Sequence, residues 1–204
     1  MKIELMGQTL EMISREGLFS PARADYGTLA MLSQVEFRPG MKVMDLGCGW
    51  GLVGVLAARI CGEENVFLCD IDPAAVQTAR ENALRNGVGG VRIYLSDAFR
   101  NVPEAGFDLI LSNPPYQTDF SVAKGFIEKG FNRLKIGGWM VIVVKREKWY
   151  LNKMRGVFGG AEVISADGYS VIRAQRRGVC RKSKKQFIPA GSFKPEHSES
   201  IWRD

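Results

Sequence analysis

The first stretch with chemical potential is a glycine-rich loop in which an acid precedes three glycines, Asp45-Leu46-Gly47-Cys48-Gly49-Trp50-Gly51. Glycines let a backbone approach a ligand closely, and loops of this kind after a strand are typical of nucleotide sites in open α/β sheets. The dinucleotide fingerprint G-x-G-x-x-G is not met, because its third glycine would fall at Leu52. An acid beside the loop would repel a pyrophosphate but suits a cationic amino group, so the pattern disfavours NAD and favours a nucleoside that carries an ammonium group.

Two further acids stand at the ends of later apolar runs. Asp70 follows Gly51 by 19 positions, where a carboxylate can accept both hydroxyl groups of a ribose. The nearby Asp72 is better explained as the N-cap of the next helix. Asp97, in the stretch Ser96-Asp97-Ala98, could accept a hydrogen bond from the exocyclic amine of an adenine. Taken alone, this residue is better explained as an ordinary acid in a loop.

A rigid corner, Asn113-Pro114-Pro115-Tyr116, comes almost directly behind the apolar run at 107–111. Two consecutive prolines fix two φ angles and remove two backbone donors, so the turn presents acceptors with few competing donors. A side-chain amide stands on one side of the prolines and an aromatic ring on the other. On its own the tetrapeptide fits an ordinary strand-to-loop turn, and its place after the glycine loop and the acids favours a chemical role.

The apolar runs that precede these residues must be the strands that position them. Strands are predicted at 42–46, 65–71, 91–95, 107–111, 139–145, 161–167 and 169–175. Helices are predicted at 52–61, from Pro73 to a stop at 86–87, and from about Val122 to Leu134, ended by Gly137-Gly138. In the second helix the predicted buried face consists of Val76, Ala79, Ala83 and Leu84.

Strands that alternate with helices predict an α/β fold with a doubly wound, mostly parallel seven-stranded sheet, closed by an antiparallel pair around Gly168. The chain is long enough for one domain. We expect an N-terminal segment at 1–35 with a helix at 26–33, a central domain at 36–177, and a basic, flexible tail at 178–204.

The composition excludes several classes of protein. No apolar run approaches the ~20 residues that span a bilayer, so no membrane partner and a cytoplasmic location are expected. The four cysteines form no C-x-x-C pair and the only histidine is His197, so reduced, mostly buried thiols are predicted and no metal site is expected.

The net charge of +6 comes from one late segment. Residues 1–167 carry 19 basic and 19 acidic residues, whereas residues 168–195 carry eight basic residues and no acid. Such a segment indicates a polyanionic partner, or else a solvated tail that aids solubility. Its cations, with Phe187 and Phe193 between them, are Arg173, Arg176, Arg177, Arg181, Lys182, Lys184, Lys185 and Lys194.

Taken together, the ordered motifs resemble the class I methyltransferases that use S-adenosylmethionine, over roughly residues 18–176. The order is specific: the glycine loop, Asp70, Asp97 and the tetrapeptide each stand at a strand end. The stretch 17–32, GLFSPARADYGTLAML, resembles the segment that marks the small-domain methyltransferases, whose best-known members methylate the 2-amino group of a guanine in small-subunit ribosomal RNA. Some of those members carry a duplicated domain in front. One copy is present here, so RNA contacts made by a duplicate have to come from elsewhere.

The resemblance implies a Rossmann-like fold, S-adenosylmethionine as cofactor with S-adenosylhomocysteine as its product, RNA binding, and a role in ribosomal RNA processing. The implied cofactor contacts are Asp45, Gly47, Gly49, Gly51, Asp70, Ile71, Asp97, Ala98 and Asn113. The implied catalytic residues are Asn113, Pro114, Pro115 and Tyr116. Phe19, Asp25 and Thr28, from the segment before the glycine loop, are expected at the mouth of the cofactor pocket.

The tetrapeptide suits transfer to a flat amine. A conjugated exocyclic amine is a poor nucleophile, and positive charge grows on its nitrogen as it attacks a methyl group. Acceptors on its N–H bonds stabilise that charge. The side-chain oxygen of Asn113 and the main-chain carbonyl of Pro114 are such acceptors, and Tyr116 offers a ring on which a flipped base can stack. No general base is needed, so His197 is expected to be non-catalytic.

Two alternatives stay open. Related enzymes with the same tetrapeptide methylate a protein glutamine amide, which is also a planar, conjugated nitrogen; as a family they carry an extra N-terminal helical domain, for which the first 35 residues leave little room. The second alternative is a non-catalytic module that binds S-adenosylmethionine or RNA, against which the intact glycine loop and Asn113 argue. The preferred hypothesis is methylation of an exocyclic amine in ribosomal RNA, either free or within a ribosomal subunit.

Overall fold

The computed structural model describes residues 1–15, 25–114, 120–166 and 168–178. Within these residues the chain forms nine strands and five α-helices, and a single 3-10 turn, Glu63–Asn65, precedes the fourth strand. In chain order they are β1 (Lys2–Leu5), β2 (Gln8–Glu11), α1 (Tyr26–Leu32), β3 (Val43–Leu46), α2 (Leu52–Cys61), β4 (Val66–Asp70), α3 (Pro73–Arg85), β5 (Arg92–Leu95), β6 (Phe107–Ser112), α4 (Phe120–Arg133), β7 (Leu134–Val144), α5 (Glu147–Phe158), β8 (Glu162–Ala166) and β9 (Tyr169–Gln175).

Seven of these strands form one sheet in the order β5-β4-β3-β6-β7-β9-β8. The pairs from β5 to β7 are parallel, whereas β9 runs antiparallel to both β7 and β8. The predicted doubly wound sheet with a closing antiparallel pair is therefore confirmed. The chain winds outward in both directions from β3, so the carboxyl ends of β3 and β6 border the crevice in which open α/β sheets bind their ligands.

Helices cover both faces of the sheet, and for that reason the central strands are mostly apolar, with Asp45 and Asp70 close to the carboxyl ends of β3 and β4. Every residue of β3 is buried. Its side chains alternate between two cores: Val43 packs in the cluster that contains Leu56 of α2, and Met44 in the cluster that contains Ile127 of α4. Apolar runs of this kind are the signal from which the strands are predicted.

Helix α3 begins as its capping signals predict. Asp72 is the N-cap and its side chain accepts a hydrogen bond from the first turn of the helix. Val76, Ala79 and Ala83 are buried as predicted, but the prediction for Leu84 is wrong, since this side chain is 69% exposed. Successive side chains on an α-helix are ~100° apart, so the step from Ala83 to Leu84 carries Leu84 off the buried face.

The segment after α4 also differs from the prediction. The helix ends at Arg133, and β7 begins at the next residue and includes both Gly137 and Gly138, which were expected to end the helix. A Cβ atom on Gly138 would lie 2.6 Å from the carbonyl oxygen of Phe107. The glycine therefore allows β7 to approach the start of β6, where the register between the two strands shifts.

The sequence patterns miss helix α5 and the hairpin formed by β1 and β2. Two asparagines, one in the last turns of α3 and one at its C-cap, hold the chain that leaves the hairpin. Asn86 exchanges two hydrogen bonds of 2.9 Å with the backbone of Glu11, and Asn82 exchanges bonds of 2.7 and 2.8 Å with Ile13. These amides bond the backbone at and just after the end of β2, a role that no local pattern in β1 or β2 signals. The predicted boundaries at 35/36 and 177/178 stay a prediction.

Among the residues described, no helix is both long enough and apolar enough to cross a membrane.

Candidate active site

The predicted functional residues gather at the carboxyl edge of the parallel strands, around a cavity of about 440 Å³. Eight of the nine predicted cofactor residues line it: Asp45, Gly47, Gly49, Asp70, Ile71, Asp97, Ala98 and Asn113. Gly51 is not part of the lining. With a φ of +87° it precedes α2, and a Cβ atom there would lie 2.8 Å from the Cβ of Ala79, so this glycine permits the close packing of α2 against α3.

The glycine loop is tied to the end of β4. Gly47 and Gly49 have φ angles of +75° and +52°, in the left-handed region that favours glycine. In this conformation the N–H groups of Gly47 and Cys48 both donate to the carbonyl oxygen of Cys69 at 2.9 Å. The N–H group of Gly49 donates to Oδ2 of Asp70 at 2.8 Å. The loop and the acid of β4 therefore form one unit at the wall of the cavity.

Asp45 is the buried acid of the cavity, and its Oδ2 accepts a hydrogen bond from the N–H of Gly54 at 2.9 Å. Burial raises the pKa of this carboxyl to about 7; the Gly54 hydrogen bond opposes the shift and the nearby charge of Asp70 adds to it. The unfolded chain, with a carboxyl pKa of about 3.9, loses this proton first as the pH rises. The fold keeps the proton up to about pH 7, so the stability that this carboxyl contributes is lost as the pH rises from about 4 to 7. A cation bound beside the ionised carboxylate would offset that loss.

The acid of β4 points along the rim of the cavity. Besides the bond to the glycine loop, Asp70 accepts from the N–H of Asp72 through Oδ1 at 3.0 Å. The next residue, Ile71, is 70% exposed and also lines the cavity. A carboxylate beside an exposed aliphatic side chain suits a ligand that is polar on one edge and flat and apolar on its face.

The loop after β5 holds a strained backbone. Ala98 has a φ of +51°, which is rare for a residue with a Cβ atom. Its carbonyl oxygen accepts from Ser96 Oγ at 2.8 Å and from Cys69 Sγ at 3.3 Å. These contacts fix the turn that directs Asp97 to the rim, where its carboxylate lies 3.8 Å from Arg100. Strain of this kind at a cavity wall is typical of functional sites.

Asn113 follows β6 and lies beside the start of the glycine loop. The hydroxyl of Ser112 donates to the carbonyl oxygen of Leu46 at 2.8 Å, which ties the end of β6 to the end of β3. Asn113 lines the cavity, and Pro114 is buried behind it. Pro115 and Tyr116 lie outside the described residues.

The N-terminal segment contributes the partners of Asn113. Its Nδ2 atom donates to Oδ2 of Asp25 at 2.7 Å and to Oγ1 of Thr28 at 3.0 Å. Asp25 also caps α1 through the N–H of Thr28 at 3.1 Å, and its Oδ1 accepts from the hydroxyl of Tyr169 at 3.2 Å. An ionised carboxylate only accepts, so the Nδ2 end of the Asn113 amide faces Asp25 and the Oδ1 end is turned away from it.

Asp25 and Thr28 line the cavity, as predicted, whereas Phe19 lies outside the described residues. Most of the apolar lining of the cavity is not predicted from the sequence motifs, and it includes Met31, Trp50, Val53, Ala75, Val122 and Phe126. Helical periodicity predicts that several of these positions are apolar. It does not predict that the first turns of α4 lie over the carboxyl edge of the sheet. Tyr169 carried no signal of its own.

The structure describes only the first part of the predicted basic segment. Arg173 pairs with Glu162 at 2.7 Å and stacks over the ring of Trp139 at 5.5 Å. Arg176 donates to the carbonyl oxygen of Asn132 in the last turn of α4 and to that of Leu134 at the start of β7. These two arginines therefore make contacts at the antiparallel end of the sheet, and their predicted part in binding a polyanionic partner stays a prediction. Arg181, Lys182, Lys184, Lys185 and Lys194, with Phe187 and Phe193, lie outside the described residues.

The thiols behave as predicted where the structure describes them. Cys48, Cys61 and Cys69 are free and buried. Burial raises the pKa of Cys61 to about 11 and that of Cys69 to about 12, which leaves both thiols unreactive. Within the described ranges no trio of His, Cys, Asp or Glu side chains is placed to hold a metal ion.

The chain is similar to known proteins over most of its length. A family model described as Methyltransferase small domain matches residues 9–173. An uncharacterised protein of Bacillus subtilis (strain 168), YbxB, is 30% identical over 179 residues, which cover 84% of this chain and 89% of that protein. Ribosomal RNA small subunit methyltransferase C of Pseudomonas entomophila (strain L48) is 32% identical over 172 residues, which cover 82% of this chain and 51% of that protein.

Among solved structures, the T. thermophilus 16S rRNA N2 G1207 methyltransferase (RsmC), in complex with AdoMet and guanosine, superposes with a TM-score of 0.78 at 25% identity. The match covers 87% of this chain and 50% of that chain. This chain thus spans about half the length of the ribosomal RNA methyltransferases that it matches. The family model covers most of the sequence, and the chain therefore belongs to the Methyltransferase small domain family of S-adenosylmethionine-dependent methyltransferases.

Proposed function

We propose that the chain transfers a methyl group from S-adenosylmethionine to the 2-amino group of a guanine in ribosomal RNA, in the cytoplasm. The observation that carries the proposal is the position of Asn113, whose amide is oriented by Asp25 and borders the same cavity as acids from three neighbouring strands. The ribosomal RNA methyltransferases among the relatives support the substrate class.

The residues around the cavity fit this cofactor. A volume of about 440 Å³ lies within the ~300–1,000 Å³ of small-molecule sites. Asp45 would hold the ammonium group, Asp70 the ribose hydroxyls and Asp97 the adenine amine, with Ile71 against the flat face of the ring. When bound, S-adenosylmethionine supplies an electrophilic methyl group on a sulfonium and leaves as S-adenosylhomocysteine.

The chain itself stabilises the charge that grows on the attacking amine. The Oδ1 atom of Asn113 and the main-chain carbonyl of Pro114 accept its two N–H bonds, and such prearranged acceptors act most strongly in the transition state. Asp25 keeps the acceptor end of the Asn113 amide toward the substrate. Stacking of the flipped base on Tyr116 stays part of the prediction. The proton leaves to water, so no side chain has to act as general base.

The test is transfer of labelled methyl groups from S-adenosylmethionine by the full chain. Ribosomal RNA and small subunits are prepared from cells that lack this protein, and the product nucleoside is identified by mass. We expect label in RNA as a methylated guanine. We also expect Asn113→Ala to abolish transfer while the affinity for S-adenosylmethionine, measured by calorimetry, changes only a few-fold.

Three results would contradict the proposal. Label in protein and none in RNA would indicate glutamine methylation. Binding of S-adenosylmethionine without transfer to either substrate would indicate a non-catalytic module. Equal loss of binding and transfer in Asn113→Ala would make that residue structural.

A further inference from the structure

A surface of cations and aromatic rings lies where α4 and α5 begin, next to the cavity. We infer that this surface, the α4–α5 shelf, binds the unpaired RNA segment that adjoins the methylated nucleotide. The shelf consists of Phe120, Lys145, Arg146, Lys148 and Trp149. The inference rests on the proposed function and adds to it the part of the fold that holds the substrate chain.

The aromatic part of the shelf consists of rings that pack on one another. The ring of Phe120 stacks on Trp149 with centroids 4.5 Å apart and an interplanar angle of 28°, and Trp149 in turn meets the buried Tyr150 edge-on at 5.1 Å. Phe120 is nevertheless 38% exposed. A supported aromatic ring that keeps one exposed side is a platform for an unpaired base, because every base offers a flat face.

The cationic part of the shelf has three basic residues and one acid within residues 145–148. Lys145, Arg146 and Lys148 are exposed, and the acid between them, Glu147, accepts from the hydroxyl of Ser170 at 2.8 Å. The guanidinium of Arg146 lies 6.0 Å from the centre of the Phe120 ring. Cations beside an aromatic platform suit the phosphates and bases of one strand.

The shelf continues directly from the cavity. Val122 and Phe126, which line the cavity, lie on the same helix as Phe120. Lys145 is the first residue after β7, at the same carboxyl edge as Asn113. A strand whose target base enters the cavity therefore passes over Phe120 and the cations. A duplex would not use the platform, because its base faces are already covered.

The test compares two variants that lose the same charge. Arg146→Gln/Lys148→Gln removes two shelf cations, and Lys129→Gln/Arg155→Gln removes two exposed cations further along the same helices. Binding of a fluorescent single-stranded RNA oligonucleotide to the full chain is measured by anisotropy, with S-adenosylhomocysteine present, over a fourfold range of salt. Loss of two phosphate contacts should reduce the slope of log affinity against log salt by about 1.4. Between the lowest and the highest salt, the affinity of the control variant should therefore fall by a factor about sevenfold larger than that of the shelf variant.

The platform is tested separately with Phe120→Leu, which keeps an apolar side chain and removes the ring. We expect affinity to fall about fivefold or more with the salt slope unchanged. In both shelf variants the KM for ribosomal RNA should rise while kcat at saturating RNA stays within about twofold, as for a binding surface remote from the reacting atoms.

If the wild-type chain methylates RNA and the shelf and control variants have equal salt slopes, the inference is overturned. Methylation of protein and not RNA would instead refute the proposed function. Unchanged RNA binding together with weaker binding of a protein substrate would assign the shelf to a protein partner and equally overturn the inference. Thermal unfolding of every variant at the wild-type temperature excludes loss of fold as the cause.

Discussion

Replacing Asp25 with serine is expected to slow methyl transfer through Asn113. In the structure Oδ2 of Asp25 lies 2.7 Å from Nδ2 of Asn113 and 3.1 Å from the N–H of Thr28. Serine is as good an N-cap as aspartate, so the cap of α1 is kept, but its shorter side chain does not reach the amide. The change thus removes the contact that orients Asn113 and leaves the helix intact.

The size of the effect follows from the kind of bond. A hydrogen bond to a charged group contributes about 1.5–3 kcal/mol. If that energy holds the acceptor end of Asn113 in place, its loss slows single-turnover transfer about 10- to 150-fold. Asp25→Asn, which keeps an oxygen but loses the charge, should cost less. Tyr169→Phe removes the contact to the other carboxylate oxygen and should leave the rate near that of the wild type.

A double-mutant cycle decides whether Asp25 acts through Asn113. Single-turnover rates are measured for Asp25→Ser, Asn113→Ala and the double variant, together with the affinity for S-adenosylmethionine. We expect Asp25→Ser to have no further effect once Asn113 is alanine. Additive losses, or a wild-type rate in Asp25→Ser, would refute the reasoning. A large fall in cofactor affinity would place Asp25 in cofactor binding instead.

Three further changes test the cavity and its supports. Because the pKa of Asp45 is raised to about 7, its carboxylate must ionise to hold a cation, so the affinity for S-adenosylmethionine should be about tenfold weaker at pH 6 than at pH 8 in calorimetry; Asp45→Asn should abolish that dependence. Gly51→Ala should destabilise the fold by about 1–3 kcal/mol in urea unfolding, because its Cβ would meet Ala79 in a strained conformation; an unchanged midpoint would contradict this. Asn82→Ala removes the bonds to the backbone of Ile13 and to the carbonyl oxygen of Trp50 and should cost about 2–4 kcal/mol, with faster hydrogen exchange in the N-terminal hairpin and the glycine loop.

Much of the fold could be predicted because its signals are local. The cap at Asp72 acts within one turn of α3, and the glycines at 47 and 49 take backbone angles that few other residues adopt. Strands buried on both faces must be mostly apolar, as β3 is apart from Asp45. The same local rules fail for Leu84 and Gly138, where a small rotation of the helix or the approach of a neighbouring strand decides the outcome.

The candidate site could be predicted only in part. Parallel strands bring their carboxyl ends together, so the acids of β3, β4 and the β5 loop were expected to meet. The partners of those residues were not, because Asp25 reaches Asn113 across 88 positions of sequence. The charge pattern placed the basic surface in the late segment, whereas Arg173 and Arg176 are engaged within the sheet.

Local sequence patterns thus suffice for the wound sheet, the glycine loop and the order of acids at the strand ends. Each depends on neighbours a few residues apart, or on the parallel strand direction that follows when strands alternate with helices. Which side chains meet depends instead on how whole elements pack. The tertiary structure turns the amide of Asn113 by placing Asp25 against it, and it brings the starts of α4 and α5 together so that Phe120 and Trp149 stack beside Arg146. Such contacts depend on the packing of whole elements, which no local spacing encodes.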